Sequence, residues 1–160
     1  MYKLAAVALF TGLLGAGSAS AAPMLVDVFA QANSRVGGAA LDTGIAVQVG
    51  DQLTIDVAID DLWAAGTGPR TSNADGLNGI APYGGNNFGL YNGFYYGALI
   101  GRINAGAYFL VGTSFDQIIN EAGTLFLAYN DSNAQDNSGF VTASIDLNPG
   151  QVDVPEPASM

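Results

Sequence analysis

The segment Tyr129-Asn130-Asp131-Ser132-Asn133-Ala134-Gln135-Asp136-Asn137-Ser138-Gly139 gathers side-chain oxygens at a density found nowhere else in the chain. Asn130, Asp131, Asn133, Gln135, Asp136 and Asn137 each carry a carboxylate or amide oxygen, and the backbone carbonyls add more. A hard divalent cation such as Ca2+ takes roughly six to eight oxygens, partly anionic, in a flexible geometry. Two carboxylates with amide and carbonyl oxygens meet that demand. The run is not an EF-hand, because it lacks the closing bidentate Glu and the flanking helices. It could equally be an Asx-rich turn, in which short polar side chains bond their own backbone. Spacing alone leaves both readings open.

Other chemistry is thinly supplied. The chain has no His and no Cys, and its only Lys is Lys3. Ser-His, Cys-His and Lys-based nucleophiles are therefore excluded beyond the first residues. Zinc loses its imidazole and thiolate ligands. A glycosidase needs two carboxylates at a fixed separation, yet the only glutamates are Glu121 and Glu156, and Asp60-Asp61 reads as a solvated turn. The expectation is a protein that binds rather than catalyses. Its formal charge is −10, with the cations beyond Lys3 limited to Arg35, Arg70 and Arg102. Such a surface repels phosphate backbones and anionic lipid, so no nucleic-acid or membrane-surface partner is expected, and divalent cations are natural counterions.

The elements that must position the acidic run read as strands. Gln52-Leu53-Thr54-Ile55-Asp56-Val57-Ala58-Ile59 alternates with period two, placing Leu53, Ile55, Val57 and Ile59 on one face. Gly50-Asp51 signals a turn, so Ile45 to Val49 and the following run read as a hairpin or as a strand with a tight lead-in. Further strand candidates are Tyr96 to Ile103, Ala107 to Val111, Gly123 to Tyr129 and Phe140 to Leu147, the last with Val141, Ala143, Ile145 and Leu147 facing inward. Phe115 to Asn120 could be strand or helical turn. Twenty-two glycines and many short runs broken by Gly/Asn/Asp turns predict an all-β antiparallel sandwich. The acidic run then lies between two strands, at one end of the sandwich. The stretch from Gly66 to Phe94, rich in Gly, Asn, Ser and Pro, predicts a long loop whose Tyr83, Phe88, Tyr91 and Phe94 either pin it to the core or stack on sugar rings. Trp63, directly after an apolar strand, reads as an anchor of the core rather than a sugar platform.

The ends read as processing segments. Lys3, the apolar run Leu4 to Leu14 and the small residues Ala19-Ser20-Ala21 predict a signal peptide over residues 1–22, cleaved after Ala21 or Ala22. The sandwich then covers 23–148, and 149–160 forms a Pro-interrupted linker. Without Cys there is no disulfide framework, although the compartment is oxidising.

Two resemblances bear on function. Gly123-Thr124-Leu125-Phe126-Leu127-Ala128-Tyr129-Asn130-Asp131 followed by Asp136-Asn137-Ser138-Gly139 resembles the calcium loop of the PA-I type galactophilic lectin family. Gly50-Asp51-Gln52-Leu53-Thr54-Ile55, the Trp63 region and Gly97-Ala98-Leu99-Ile100-Gly101-Arg102-Ile103 fit the same order. The resemblance spans residues 26–147. It implies a jelly-roll-like, galactose-binding-like β-sandwich with one calcium ion at its apex, chelated directly by two sugar hydroxyls. It implies Asp131 as the anionic ligand, and Asp136 and Asn137 as side-chain ligands that also touch the sugar. Backbone ligands would come from the Ser132 to Ala134 stretch, including Ser132 and Asn133, and from near Gly66. Asp75 would be a polar sugar contact. The loop is shorter than in those lectins, Asp136 replaces an amide, and their sugar-contacting His is missing, with Ser72 the nearest positional match. The second resemblance is in Val154-Pro155-Glu156-Pro157-Ala158-Ser159, which looks like the start of a PEP-CTERM sorting signal, without the apolar span and basic cluster that normally follow. It implies exosortase-type sorting to the surface or matrix of a Gram-negative-type bacterium. The expected function is calcium-dependent binding of a glycan or exopolysaccharide by an exported surface or matrix protein. The alternative is a structural surface or biofilm protein whose sandwich has lost ligand binding.

Overall fold

The computed structural model describes residues 22–150. The expected leader before Ala22 and the sorting motif from Gln151 onward lie outside the described residues. Twelve strands and no helix make up the described chain: β1 Met24–Phe29, β2 Leu41–Val47, β3 Gln52–Val57, β4 Trp63–Ala65, β5 Thr71–Ser72, β6 Leu90–Tyr91, β7 Phe94–Tyr95, β8 Leu99–Ile103, β9 Phe109–Leu110, β10 Ser114–Ile118, β11 Gly123–Tyr129 and β12 Asn137–Asn148. The fold is an all-β, jelly-roll-like sandwich, and every pairing between named strands is antiparallel.

The long β12 organises the first sheet. Ala143 sits between Val57 of β3 and Val26 of β1, so β12 is central, and β10 extends the sheet beyond β3. β4 continues the edge occupied by β3: Val57 opposes Ala143 and Trp63 opposes Gly139, with residues 58–62 looping out between them. The second sheet runs β2-β11-β8-β9. Apolar residues at alternate positions meet between the sheets: Leu53, Ile55 and Val57 with Val141, Ala143 and Ile145 from one, Leu125, Leu127, Leu99 and Ile103 from the other. This interdigitation is the usual way two half-apolar sheets bury their faces.

Several expectations need correction. Ile59 does not join the β3 row and is 60% exposed, because the strand ends at Val57 and the chain turns. Gly50-Asp51 does not close a hairpin. β2 and β3 lie in different sheets, and the turn carries the chain across the sandwich. Asp51 braces that crossing, accepting the Gln48 and Gly150 N–H groups at 2.8 and 3.1 Å. The undecided Phe115 to Asn120 stretch is mostly strand, within β10. The expected long loop contains β5 and the β6–β7 hairpin.

Trp63 and Tyr129 form the packed floor under one end of the sandwich. Trp63 is 1% exposed and meets the Tyr129 ring edge-on, with centroids 4.5 Å apart. Its indole N–H donates to the Gly97 carbonyl at 2.8 Å and lies 3.3 Å from that of Asn73. Buried indole N–H groups need such partners, so Trp63 is a packing residue with no face free for a ligand.

Candidate functional site

β11 ends in one sheet and β12 begins in the other, so residues 130–136 cross between sheets above the Trp63–Tyr129 floor. Asn130 starts the crossing and is fully buried. Its Nδ2 donates to the carbonyls of Tyr91, Phe94 and Tyr95, each at 3.0 Å. Asn130 therefore clamps the β6–β7 hairpin to the apex, and its Oδ1 accepts from Arg35 Nη1 at 3.4 Å.

Asp131 is 6% exposed. Its Oδ1 accepts the backbone N–H groups of Ser132 and Asn133, at 2.5 and 3.3 Å. That is the Asx-turn arrangement, so the turn is real, but it does not neutralise the charge. Burial pushes the Asp131 pKa up. The Ser132 and Asn133 N–H groups and the Asn137 amide pull it back, and the nearby Asp136 pushes it further up. Asn137 is buried, and its Nδ2 donates to the Ala30 carbonyl at 3.3 Å. Its Oδ1 has no partner. An orphaned buried oxygen costs on the order of 1–3 kcal/mol.

Asp136 is half-exposed. Its Oδ1 accepts from Asn133 Nδ2 at 2.9 Å, and its Oδ2 lies 3.8 Å from Arg70 Nη1. This is the one ion pair among the described residues, and at such exposure a pair contributes little. Gly66 reaches the site through strand register. Ala65 opposes Asn137, which puts the next residue beside Asp136. A Cβ on Gly66 would lie 2.7 Å from Asp136 Oδ2, and its φ of +97° suits glycine.

Asp131, Ser132, Asn133 and Asp136 line one cleft of about 360 Å³, walled also by Arg70 and Phe88. Arg70 stacks over the Phe88 ring at 4.9 Å. Both carboxylates also act on Tyr129: burial, then Asp131, then Asp136 raise its pKa far above the ordinary phenol value. The Tyr129 hydroxyl is buried without a partner, as is Ser72 Oγ, which flanks Gly97 from the same side. Among the described residues no three acidic side chains cluster, so two carboxylates are all the anionic charge this cleft can offer.

Asp75, expected as a sugar contact, is placed elsewhere. Its carboxylate accepts from Thr113 N at 2.8 Å and from Thr113 Oγ1 at 3.0 and 3.1 Å. It holds the 112–113 turn and does not line the cleft. Phe88, expected either to pin its loop to the core or to stack on a sugar, is exposed and walls the cleft, and Arg70 joins it there although the sequence marks it only as one of few cations.

A solved structure titled "EclA N-terminal domain; PllA-like lectin" is similar to this chain, with a TM-score of 0.58 and 20% identity, over 79% of this chain and 98% of that one. At that identity the likeness shows a shared fold. No protein-family profile and no curated protein matches the sequence.

Proposed function

We propose that this chain is an exported, non-catalytic protein that binds carbohydrate through a calcium ion held at the apex cleft. One observation carries the reading: a buried Asp131 carboxylate has the Asn137 side chain as a neighbour, the Oδ1 of that Asn137 is orphaned, and no guanidinium lies within ion-pair distance of Asp131. A cation among these oxygens would relieve the desolvation cost of both. The donor set is oxygen only, which suits a hard ion and not zinc. Asp131, Asp136 and Asn137 would hold it by side chains, with backbone carbonyls from the Ser132 to Asn133 turn and from Gly66. When bound, the ion supplies coordination positions for two neighbouring sugar hydroxyls. Phe88 and Arg70 would form the wall against which the sugar rests. The fold likeness to a domain titled as a lectin supports the carbohydrate part of the proposal. Export and surface sorting rest on the leader and on the Val154 to Ser159 motif.

The test is a calcium titration of thermal stability followed by a glycan array with and without chelator. Calcium is expected to raise the melting temperature, and array signals are expected to vanish with chelator. A melting temperature unmoved by millimolar calcium sinks the metal. Calcium binding without any chelator-sensitive glycan supports the structural alternative, for which the occupation of Asp136 by Arg70 and Asn133 is the favouring feature.

A further inference from the structure

The two remaining arginines lie on a different face. Arg102 of β8 is the cross-strand partner of Phe126 of β11. Their neighbours Ile103 and Leu125 belong to the core, so by alternation Arg102 and Phe126 point outward from the second sheet. The Arg102 guanidinium lies over the Phe126 ring at 5.4 Å and over Tyr108 at 5.2 Å. Arg35 lies over the same Tyr108 at 4.8 Å and over Tyr91 at 5.8 Å. Tyr91 in turn stacks on Tyr96, centroids 5.5 Å apart, and Tyr96 lines the apex cleft. From the cleft, two stacked tyrosine rings are followed by Arg35, Tyr108, Arg102 and Phe126 in one continuous row that ends on the outer sheet face.

This row is unusual in its charge. The chain has 14 acidic residues and four basic ones, so each arginine could have found a carboxylate many times over. Arg35 and Arg102 have none within ion-pair distance among the described residues. A guanidinium carries five N–H donors. Arg35 uses one, to Asn130 Oδ1, and Arg102 Nε is buried with no partner. Each guanidinium lies between two rings, and apart from the Asn130 contact of Arg35 neither has a side-chain or backbone acceptor among the described residues. Asp42, which opposes Phe126 on β2, accepts from the Gly44 N–H and pairs with neither arginine. Planar guanidinium edges match planar carboxylates in bidentate geometry, and aromatic rings match the apolar faces of sugar rings.

We propose that this arginine–aromatic row is a second binding face, and that its occupant is a uronic-acid glycan whose carboxylates meet the Arg35 and Arg102 edges. The negative charge of the rest of the surface does not forbid this, since screening at physiological salt limits its reach to about 8 Å. A polymer lying on the row would reach the cleft at Tyr96, and engagement at both places would add avidity. The proposal does not depend on the cleft ion.

The experiment is therefore run in chelator, with the full secreted chain and a short oligouronide too small to gel. Binding is read by calorimetry and by NMR shifts. The oligouronide is expected to bind at physiological salt and to weaken several-fold at about 1 M salt, where screening shortens to about 3 Å. Its methyl ester and a neutral oligosaccharide of equal length are expected not to bind. Arg102→Gln, with an unchanged melting temperature, is expected to weaken binding at least about tenfold, and Arg102→Lys to restore only part of it. Shifts in the wild-type protein are expected to cluster at Arg35, Arg102, Tyr108 and Phe126, a readout that stands even if a variant fails to fold. No binding of the oligouronide, equal binding of its methyl ester, or shifts confined to the cleft overturns the proposal. A sulfated oligosaccharide binding as tightly overturns the carboxylate assignment.

Discussion

Asp131 is held in a pocket that disfavours its charge and yet is built around it. Because burial raises its folded-state pKa above the unfolded value of 3.8, the unfolded chain ionises first as pH rises. Its contribution to stability is therefore fully present below about pH 3.8 and is lost as pH rises from there through the raised folded-state pKa, as long as no cation is bound. In chelator, Asp131→Asn is expected to flatten that loss and to raise the melting temperature at pH 7 by about 3 °C for about 1 kcal/mol. In saturating calcium the order reverses. The wild type gains about 2.7 kcal/mol at a hundredfold excess over Kd, and the variant gains nothing. Calorimetric scans at pH 4 and pH 7, with and without calcium, check both signs. A calcium effect equal at the two pH values would argue against a carboxylate ligand, since metal binding competes with protons. Tyr129 supplies a contrast on the same floor. Its hydroxyl is buried without a partner, so Tyr129→Phe is expected to be neutral or stabilising by up to about 1 kcal/mol in denaturant unfolding, because the contact with Trp63 survives.

Among the elements, β4 and β12 decide where the cleft is. Their register sets Gly66 beside Asp136, although the two are far apart in sequence. Gly66→Ala forces a Cβ toward Asp136 Oδ2 and a strained positive φ. It is expected to cost at least about 1 kcal/mol and to weaken the calcium-induced rise in melting temperature. Asp75→Ala tests the opposite assignment. It strips the Thr113 N–H of its acceptor and is expected to cost about 1–3 kcal/mol, while glycan-array signals and the calcium response stay as in the wild type. Loss of the array signals in a folded Asp75→Ala protein would return Asp75 to the binding site.

For the whole molecule, stability rests on two packed sheets without a disulfide, and an ion at the proposed site would add to it by mass action. Magnesium, which demands a small octahedral cage, is expected to give a smaller rise in melting temperature than equal calcium in the same scans. How much of this was legible in the sequence follows from the range of each signal. The period-two rows of β3 and β12, the strand β11 and the acidic crossing between β11 and β12 were readable because alternation and turn chemistry are local. The oxygen-only chemistry was readable because composition alone removes His and Cys. The paths of β2 and β3 into different sheets, the Asp75–Thr113 bond, the approach of Gly66 to Asp136 and the row joining Arg35 to Arg102 were not. Each joins residues distant in sequence through strand register or sheet stacking, and no local pattern encodes which strand lies beside which. Sequence determined that this chain would be a β-sandwich with an anionic loop at one end. Tertiary packing decided which of its charges are buried, which are paired and which are left facing outward, because those depend on neighbours supplied only when the sheets close on each other.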